Sequence, residues 1–363
     1  MKILFALPGF HRYDRGAEVA LLAVATHLAR AGHEVTVAGM GDRPVRSAYA
    51  YWKVPAIPRE WWERFPKIPP LRSETAWEDA GFAAGLLLRD LASFDLTVTC
   101  SFPFSHWALR SRGRRGPAHV FVTQNGDWPA FSDEAEYRTF RCDGLVCTNP
   151  DYFERNRQRW RSALIPNGID LPRFKEGEGS AKPPELPAGR PIVLMVSALI
   201  DSKRVSDGVR AVARLDGAAL VVAGDGPLRH EVVHLAERLL PGRFGLVKVP
   251  ADQMPALYRA ADVFLHLSLL ESFGNVFLEA SACGLPVVAH DSPRLRWILG
   301  DDQFLCDSTD TSQLHSALTS ALARSGTPPE IDLERYSWPR VSDRYIEFFE
   351  EVLKARNQTK GLK

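Results

Sequence analysis

Several patterns are scarce or missing in this sequence, and each absence excludes a class of protein. The 363 residues include 5 cysteines, an odd number with no C-x-x-C pair, so buried thiols in a reducing cytoplasm are expected rather than a disulfide framework. The formal net charge of +1 argues against a dedicated nucleic-acid partner. No run approaches the roughly 18 apolar residues of a membrane-spanning helix. The apolar start, residues 1–7, is too short for a signal peptide and predicts a first strand.

The length and the order of the apolar runs predict two α/β domains. A chain of 363 residues is too long for one core. Buried strands alternate with helical runs from residue 2 onward, and the pattern restarts at residue 192, which predicts a doubly wound parallel sheet in each half. No G-x-G-x-x-G follows the first strand, which lowers the case for a dehydrogenase. The turn dipeptide Asn167-Gly168 and the Pro, Gly and Lys-rich residues 175–190 mark the linker.

The second half is organised around residues 262–290. Residues 262–267 predict a buried strand, 268–274 a loop, 275–283 a helix and 286–289 another buried strand. The loop lies at the carboxyl end of its strand, which is the edge where open α/β sheets bind ligands.

The chemistry of this loop fits a phosphorylated sugar. Gly274 lets the backbone approach a ligand, and the amides of Asn275 and Val276 open a helix whose first N–H groups favour phosphate. Glu271 in the loop and Glu279 one turn into the helix can accept hydrogen bonds from sugar hydroxyls. The alternative is that Glu271 is a solvated loop residue and Glu279 a surface helix residue. The apolar neighbours of Glu279 argue against that alternative.

The motif E-S-F-G-N-V-F-L-E, followed by A-C-G-L-P-V-V, resembles the E-x7-E signature of the GT4-type family of retaining glycosyltransferases with the GT-B fold. The resemblance implies two Rossmann-like domains with an interdomain cleft. The acceptor domain would be residues 1–168 and the donor domain residues 169–340. A C-terminal helix, about residues 341–363, would cross back to the first domain. The donor-binding set implied is Gly16, Lys203, Gly224, Ser272, Phe273, Gly274, Asn275, Val276 and Glu279.

The resemblance also assigns roles within this set. Glu279 would hold the nucleotide ribose, Glu271 the hydroxyls of the transferred sugar, and Lys203 the diphosphate. Lys203 can alternatively be an exposed loop residue. Ala198 stands where the family has a second basic residue that binds the diphosphate, and Arg204 is the candidate substitute for it.

Two further departures from the family lie in the first half. Arg15 replaces the first glycine of a glycine-rich turn; either it contacts phosphate or the chain passes farther from the ligand. Gln124 replaces a histidine close to the reacting sugar. Asn125 and Asp127 would fill part of that histidine's place and are the catalytic candidates of this domain, whereas His106 and His119 are interpreted as packing or surface residues.

The predicted activity is therefore sugar transfer from a nucleoside-diphosphate sugar, without a cofactor, to a hydroxyl of a carbohydrate, lipid-linked or small-molecule acceptor. This would serve glycan, exopolysaccharide or glycoconjugate biosynthesis. No D-x-D pair occurs, so the transferase is expected to be metal-independent. A sugar-nucleotide epimerase or hydrolase, and a non-catalytic sugar-nucleotide-binding subunit, are the alternatives.

Two stretches leave the question of membrane contact open. Residues 47–72 predict a long irregular excursion whose aromatic residues could stack on an acceptor, rest at a lipid interface or cap the domain's own core; they are Tyr51, Trp52, Trp61 and Trp62. A predicted helix after residue 150 carries a run of arginines, either a solvated face or a patch for anionic lipid; they are Arg155, Arg157, Arg159 and Arg161. Peripheral contact at the inner membrane face is thus an alternative to a purely cytoplasmic location.

Overall fold

Each half of the chain folds around its own parallel β-sheet in the computed structural model, which describes residues 1–68, 70–175, 186–187, 189–301 and 303–361. The first unit comprises Met1–Gly168 together with the chain from Trp338 onward, and the second comprises Ile169–Ser337. Most of the predicted linker, residues 176–185 and 188, lies outside the described residues.

Strands and helices alternate along most of the chain. The strands are β1 (Lys2–Ala6), β2 (Glu34–Gly39), β3 (Ala50–Lys53), β4 (Leu96–Thr99), β5 (Ala118–Val122), β6 (Gly144–Cys147), β7 (Ser162–Leu164), β8 (Ile192–Val196), β9 (Ala219–Ala223), β10 (Phe244–Val247), β11 (Val263–His266), β12 (Val287–His290) and β13 (Phe304–Cys306). The helices are α1 (Gly16–Arg30), α2 (Glu74–Leu87), α3 (Phe104–Leu109), α4 (Trp128–Phe131), α5 (Pro150–Asn156), α6 (Leu171–Lys175), α7 (Val205–Ala213), α8 (Arg229–Leu239), α9 (Met254–Arg259), α10 (Asn275–Ala282), α11 (Pro293–Leu299), α12 (Thr311–Ala323) and α13 (Trp338–Gly361).

The first unit contains a sheet of order β3-β2-β1-β4-β5-β6-β7, in which every neighbouring pair is parallel. The chain fills one side of β1 first and then crosses to the other, so the strand order reverses between β1 and β4. The amphipathic helix α13 returns to this unit and packs against α1. Its buried face includes the apolar residues Val341, Tyr345, Phe348, Phe349 and Val352.

Two glycines let α13 lie close to the rest of the first unit. A Cβ at Gly144 in β6 would come within 2.6 Å of Val352. A Cβ at Gly168 would come within 2.4 Å of the Trp338 ring. The helix is therefore an integral part of this core.

The second unit repeats the plan with the order β10-β9-β8-β11-β12-β13, again entirely parallel. One face of the sheet packs on a core that includes Phe277 of α10 and Ile298 of α11. The other face packs on a core that includes Val209 of α7, Val232 of α8 and Leu318 of α12. Burial on both faces explains why its central strands, β8, β9, β11 and β12, are nearly continuous apolar runs. The predicted fold class, two doubly wound parallel α/β domains, is confirmed.

Three short edge strands differ from the sequence prediction. The stretch predicted to be irregular contains β3, the helix expected to carry the arginines ends at Asn156 and is followed by β7, and β13 was not predicted. Edge strands of three or four half-exposed residues carry no apolar run or strict alternation, which are the signals that mark strands. The prediction was therefore wrong for these three edge strands and right for the central strands of both sheets.

The aromatic residues of the excursion have separate environments. Tyr51 packs against the core under α1, and Trp52 packs edge-on against Phe94, so these two cap the unit's own core. The Trp62 ring stacks on Trp77 at 5.0 Å, whereas Trp61 is 75% exposed.

Each arginine of the predicted patch faces an acid. Arg155 pairs with Asp127 at 3.0 Å, and the other three pairs are Arg157 with Glu154, Arg159 with Asp133, and Arg161 with Glu351. This pairing reduces the net charge that anionic lipid would meet. Among the described helices, none combines the length and apolar character needed to cross a bilayer.

Candidate functional site

The second unit brings two loops together at the point where its strand order reverses. β8 pairs with β9 on one side and with β11 on the other. Because these strands are parallel, the loops that follow β8 and β11 emerge at the same sheet edge. Ligands of open α/β sheets bind at such reversals.

Glu271, in the loop after β11, accepts hydrogen bonds from two basic side chains on one oxygen. The Nε2 atom of His266, the last residue of β11, lies 2.8 Å from Glu271 Oε1. The Nζ atom of Lys203, from the loop after β8, forms an ion pair with the same Oε1. The side chains of Glu271 and Lys203 are 17% and 22% exposed. The structure thus joins two residues that were predicted to have separate roles.

The ionisation of Glu271 follows from these partners. Burial by itself raises the pKa of this carboxyl, but the hydrogen bonds and electrostatic attraction of His266 and Lys203 outweigh burial and lower the pKa to about 2. Glu271 is therefore an anion throughout the physiological pH range. An anionic carboxylate is a strong acceptor for hydroxyl donors.

The loop ends in a glycine that immediately precedes the next helix. Gly274 precedes α10 and has a φ of +87°, a left-handed conformation that favours glycine. A Cβ at Gly274 would lie 2.6 Å from the Phe277 ring. The first amides of α10, those of Asn275 and Val276, therefore begin right at the loop that carries Glu271. Helix dipole and amides make this end suited to an anion.

Glu279 lies one turn into α10, on the same helix face as Asn275. The hydroxyl of Tyr258, a fully buried residue, donates to Glu279 Oε2 at 2.8 Å. Burial raises the pKa of Glu279, although the Tyr258 hydrogen bond opposes the shift. The interpretation of Glu279 as a plain surface residue is not supported.

Other members of the predicted donor set have structural partners. Phe273 is 2% exposed and packs on Trp297 and Tyr336, so it can serve a ligand only through its backbone. Gly224, after β9, lies against the loop after β8, where a Cβ would sit 1.9 Å from the Ser197 carbonyl oxygen. Close backbone packing therefore explains that glycine. Ser272 lies half-buried in the loop between Glu271 and Phe273.

Arg204 makes other hydrogen bonds and does not replace the basic residue that the family has at the position of Ala198. Its backbone is left-handed, with a φ of +53°. Its guanidinium donates to the Leu267 carbonyl at 3.2 Å and to the hydroxyl and carbonyl of Ser308 at 3.0 and 3.1 Å. These bonds tie the ends of β11 and β13 together.

In the first unit, Asp127 is held by two neighbours. Arg155 donates to both of its carboxylate oxygens at 3.0 Å, and Asn156 donates to one of them at 2.7 Å. Burial raises the pKa of Asp127, against the attraction of Arg155. Asn125 makes a long 3.9 Å contact to the Cys100 sulfur. A catalytic role for this pair rests on the resemblance alone.

Gly16 is the first residue of α1, and Arg15 precedes it. The Arg15 guanidinium pairs with the buried Glu18 at 2.5 Å and lies over the Tyr13 ring at 4.4 Å. A Cβ at Gly9 would overlap the Glu18 carboxylate. In this structure Arg15 is thus engaged with Glu18.

Gln124 and the linker residue Asn167 form a reciprocal amide pair. The Gln124 amide donates to Asn167 Oδ1 at 2.5 Å, and the Asn167 amide donates back to Gln124 Oε1 at 3.0 Å. Both residues are buried. The residue at the place of the family's histidine therefore ties the end of β5 to the end of the first unit.

Sequence reasoning missed His266 and Tyr258. His266 fell within an apolar run assigned simply to a strand, and a histidine closing such a run was the available signal. Tyr258 carried no signal, because its contact depends on how α9 and α10 pack. Within the described residues no three His, Cys, Asp or Glu side chains are grouped as a metal site would need, and the 5 cysteines are thiols.

Two glycosyltransferase family models together match most of the chain. The family model described as "Glycosyltransferase Family 4" matches residues 15–173, and the one described as "Glycosyl transferases group 1" matches residues 178–334. The alpha-monoglucosyldiacylglycerol synthase of Streptococcus pneumoniae is 24% identical over 96% of this chain and 85% of that protein. A GDP-mannose-dependent alpha-mannosyltransferase of Mycolicibacterium smegmatis is 25% identical over 98% of this chain and 99% of that protein.

Solved structures share the fold at low sequence identity. A glycosyltransferase from Rickettsia africae superimposes with a TM-score of 0.71 at 15% identity, covering 97% of this chain and 98% of that one. Anabaena HepE, crystallised with UDP and glucose, gives a TM-score of 0.65 at 17% identity, covering 99% and 98%.

Proposed function

The chain belongs to the GT4-type glycosyltransferases, and on that premise we propose that it moves a sugar from a nucleoside-diphosphate sugar to an acceptor hydroxyl with retention of anomeric configuration. One observation carries the proposal. Lys203, Glu271 and the amino end of α10 meet at the strand-order reversal of the second unit.

The donor would bind with its charges matched to this edge. The diphosphate rests at the amino end of α10, where Lys203 adds a full positive charge. An ammonium has three N–H donors, so Lys203 can contact phosphate while keeping Glu271. Glu271 then accepts from hydroxyls of the transferred sugar, and Glu279 accepts from the ribose through the oxygen that Tyr258 does not occupy.

The chemistry would be mainly electrostatic. As the bond from the sugar to the diphosphate breaks, negative charge grows on the leaving phosphate, and the amides of α10 and Lys203 stabilise it. The acceptor hydroxyl attacks on the face that the diphosphate leaves and passes its proton to the departing phosphate oxygen, which retains configuration without a glycosyl-enzyme. Because Lys203 and the helix supply the positive charge, and no D-x-D pair is present, we propose that neither a metal nor another cofactor takes part.

The relatives suggest the substrate class. The names of two relatives specify diacylglycerol glycosylation and GDP-mannose as donor, and one structural neighbour was solved with UDP and glucose. We therefore propose a UDP- or GDP-hexose donor and a carbohydrate or lipid-linked acceptor, in glycolipid or glycan biosynthesis. The site of action would be the cytoplasm, with peripheral contact at the inner membrane face when the acceptor is a lipid.

The first experiment identifies the nucleotide. A thermal-shift screen against UDP, GDP, TDP and ADP should raise the apparent stability with one of them, because ligand binds the folded state. Donors of that nucleotide are then incubated with panels of lipid and sugar acceptors. Acceptor-dependent nucleotide release with an α-linked product from an α-linked donor supports the proposal. Donor consumption without acceptor would instead indicate a hydrolase or epimerase.

A further inference from the structure

We propose that His266 is a positioning residue for sugar transfer: its imidazole holds one oxygen of Glu271 so that the other oxygen faces a hydroxyl of the transferred sugar. This inference rests on the function proposed above and adds a residue to its site.

The ring of His266 is locked in place by its surroundings. His266 closes β11 and is only 3% exposed. The ring lies against Phe264 in a stacked arrangement at 6.2 Å and against Phe277 edge-on at 5.0 Å. A strand end flanked by two buried aromatic rings leaves the imidazole little rotational freedom. It is therefore a rigid base from which to orient a loop carboxylate.

The two oxygens of the Glu271 carboxylate differ in their hydrogen bonding. A carboxylate only accepts, so the His266 Nε2 atom carries the proton in its 2.8 Å contact with Oε1. Lys203 binds this same Oε1. Among the residues that the structure describes, none donates to Oε2. One oxygen is thus held from the sheet edge, and the second keeps its capacity to accept a hydrogen bond from a ligand.

The other ring nitrogen shows that stability is not the reason for a histidine here. His266 Nδ1 is buried and has no hydrogen-bond partner within the described part of the chain. A buried polar atom without a partner is unfavourable. The two rings that contact the imidazole, those of Phe264 and Phe277, are fully buried and apolar, so an apolar side chain suits this environment better. What the histidine adds is its contact with Glu271.

The test compares two substitutions at this position with one at a matched histidine. His266→Phe fills the apolar space but removes the N–H, whereas His266→Gln keeps an amide N–H at about the place of Nε2. His290 closes the neighbouring strand β12 and contacts Ser308 rather than Glu271, so His290→Gln serves as control. Each variant is assayed for kcat/KM, for the affinities of the nucleoside diphosphate and of the nucleotide sugar, and for Tm.

We expect His266→Phe to lower kcat/KM about 10- to 100-fold, the usual effect of misplacing a site group. Its Tm should be equal to or above that of the wild type, and its affinity for the nucleoside diphosphate alone unchanged. His266→Gln should recover part of kcat/KM, and His290→Gln should stay within twofold of the wild type. A His266→Phe protein with wild-type kcat/KM, or one whose activity falls only as its Tm falls, would overturn the inference.

A ligand-free measurement separates this inference from the proposed function. Carboxyl ¹³C NMR titration of the free protein should show the pKa of Glu271 rising in His266→Phe and unchanged in His290→Gln. If the wild type consumes no sugar nucleotide but the pKa of Glu271 rises in His266→Phe and not in His290→Gln, the proposed function fails while the interaction between His266 and Glu271 is supported. If the pKa of Glu271 is unchanged in His266→Phe, the positioning role fails even in an active enzyme.

Discussion

Lys203 and Glu271 are 68 residues apart in the chain, yet they form an ion pair at the edge of one sheet. The pair exists because β8 and β11, which precede the two residues, are hydrogen-bonded neighbours. It brings a cation that can bind phosphate and an anion that can bind sugar hydroxyls to one place.

Removing the cation should have a large effect on catalysis. In Lys203→Ala the growing charge on the leaving diphosphate loses its full positive partner, so we expect kcat/KM to fall about 100-fold or more. Lys203→Arg should recover only part of this, because a planar guanidinium replaces a compact ammonium. Lys248→Ala is the matched control, since Lys248 is 80% exposed and pairs with Asp225. Steady-state kinetics of the three variants check the prediction, and equal losses in Lys203→Ala and Lys248→Ala would contradict it.

Glu279→Gln should stabilise the protein while weakening nucleotide binding. Burial raises the pKa of Glu279 above its ordinary value of 4.5. Its charged form is therefore less favourable in the folded state, and stability is lost as the pH rises through the folded pKa. The Gln variant should unfold at a higher temperature at pH 7, and the difference should vanish below about pH 4.5.

The amide of that variant can still accept from Tyr258, but a neutral acceptor binds ribose hydroxyls less strongly. We expect about a tenfold weaker affinity for the nucleoside diphosphate. Calorimetry at pH 7 measures it, and unchanged affinity would remove Glu279 from the binding site.

Gly274→Ala separates backbone strain from steric overlap when compared with Gly242→Ala. Both glycines have positive φ, +87° and +66°, but a Cβ at Gly242 meets nothing within 4 Å, whereas one at Gly274 meets the Phe277 ring. We expect Gly242→Ala to lose about 1–2 kcal/mol of unfolding free energy from strain. Gly274→Ala should lose more and should also weaken donor binding, because the start of α10 shifts. Urea unfolding measures the loss of unfolding free energy, and donor titration measures the affinity for the donor. Equal losses in the two variants would refute the overlap argument.

The first unit should lose stability on mild acidification through a buried histidine pair. The Nε2 atom of His119 lies 3.1 Å from the Nδ1 atom of His106, and Thr97 contacts the other nitrogen of His119. Burial lowers the pKa of His106 to about 3 and lowers the pKa of His119 well below its ordinary value of 6.5. Stability is therefore present above pH 6.5 and lost as the pH falls, because the unfolded chain takes up the protons.

Ordinary carboxylates stay ionised between pH 6.5 and 5. Over this window, a histidine that cannot be protonated in the folded state lowers the unfolding free energy by about 2 kcal/mol. His106→Phe keeps the stacking on Phe140 and removes one such group. Its unfolding free energy should therefore fall less steeply over this window than that of the wild type. Parallel slopes would show that the pair does not titrate as described.

The sequence was sufficient for the fold because its central strands are unambiguous. The strands that flank each reversal, β1 and β4 or β8 and β11, are buried, and β1, β8 and β11 consist mostly of short apolar runs. Their alternation with helices predicted two doubly wound sheets, the plan found here and shared with glycosyltransferases of the GT-B fold. The edge strands β3, β7 and β13 have half-exposed residues, so their sequences carried no comparable signal.

The site was predictable residue by residue but not as an arrangement. The sequence was enough to identify three residues of the site: Gly274, as a glycine before a helix, and the two acids Glu271 and Glu279. The contact between Lys203 and Glu271 depends on which strands are neighbours, and no single sequence encodes that in a local pattern. His266 was overlooked for a related reason: a histidine ending an apolar run acquires meaning only from the loop that folds back on it.

Helix α13 imposes an order on how the protein can be made. Its apolar face completes the core of the first unit, yet a ribosome reaches Trp338 only after all of the second unit has been synthesised. The second unit is one uninterrupted segment and has every element of its own sheet as soon as Ser337 emerges. During translation, then, the half that is begun first is the half that is finished last, and until α13 emerges the apolar surface around β6 and α1 stays open to water or to a chaperone.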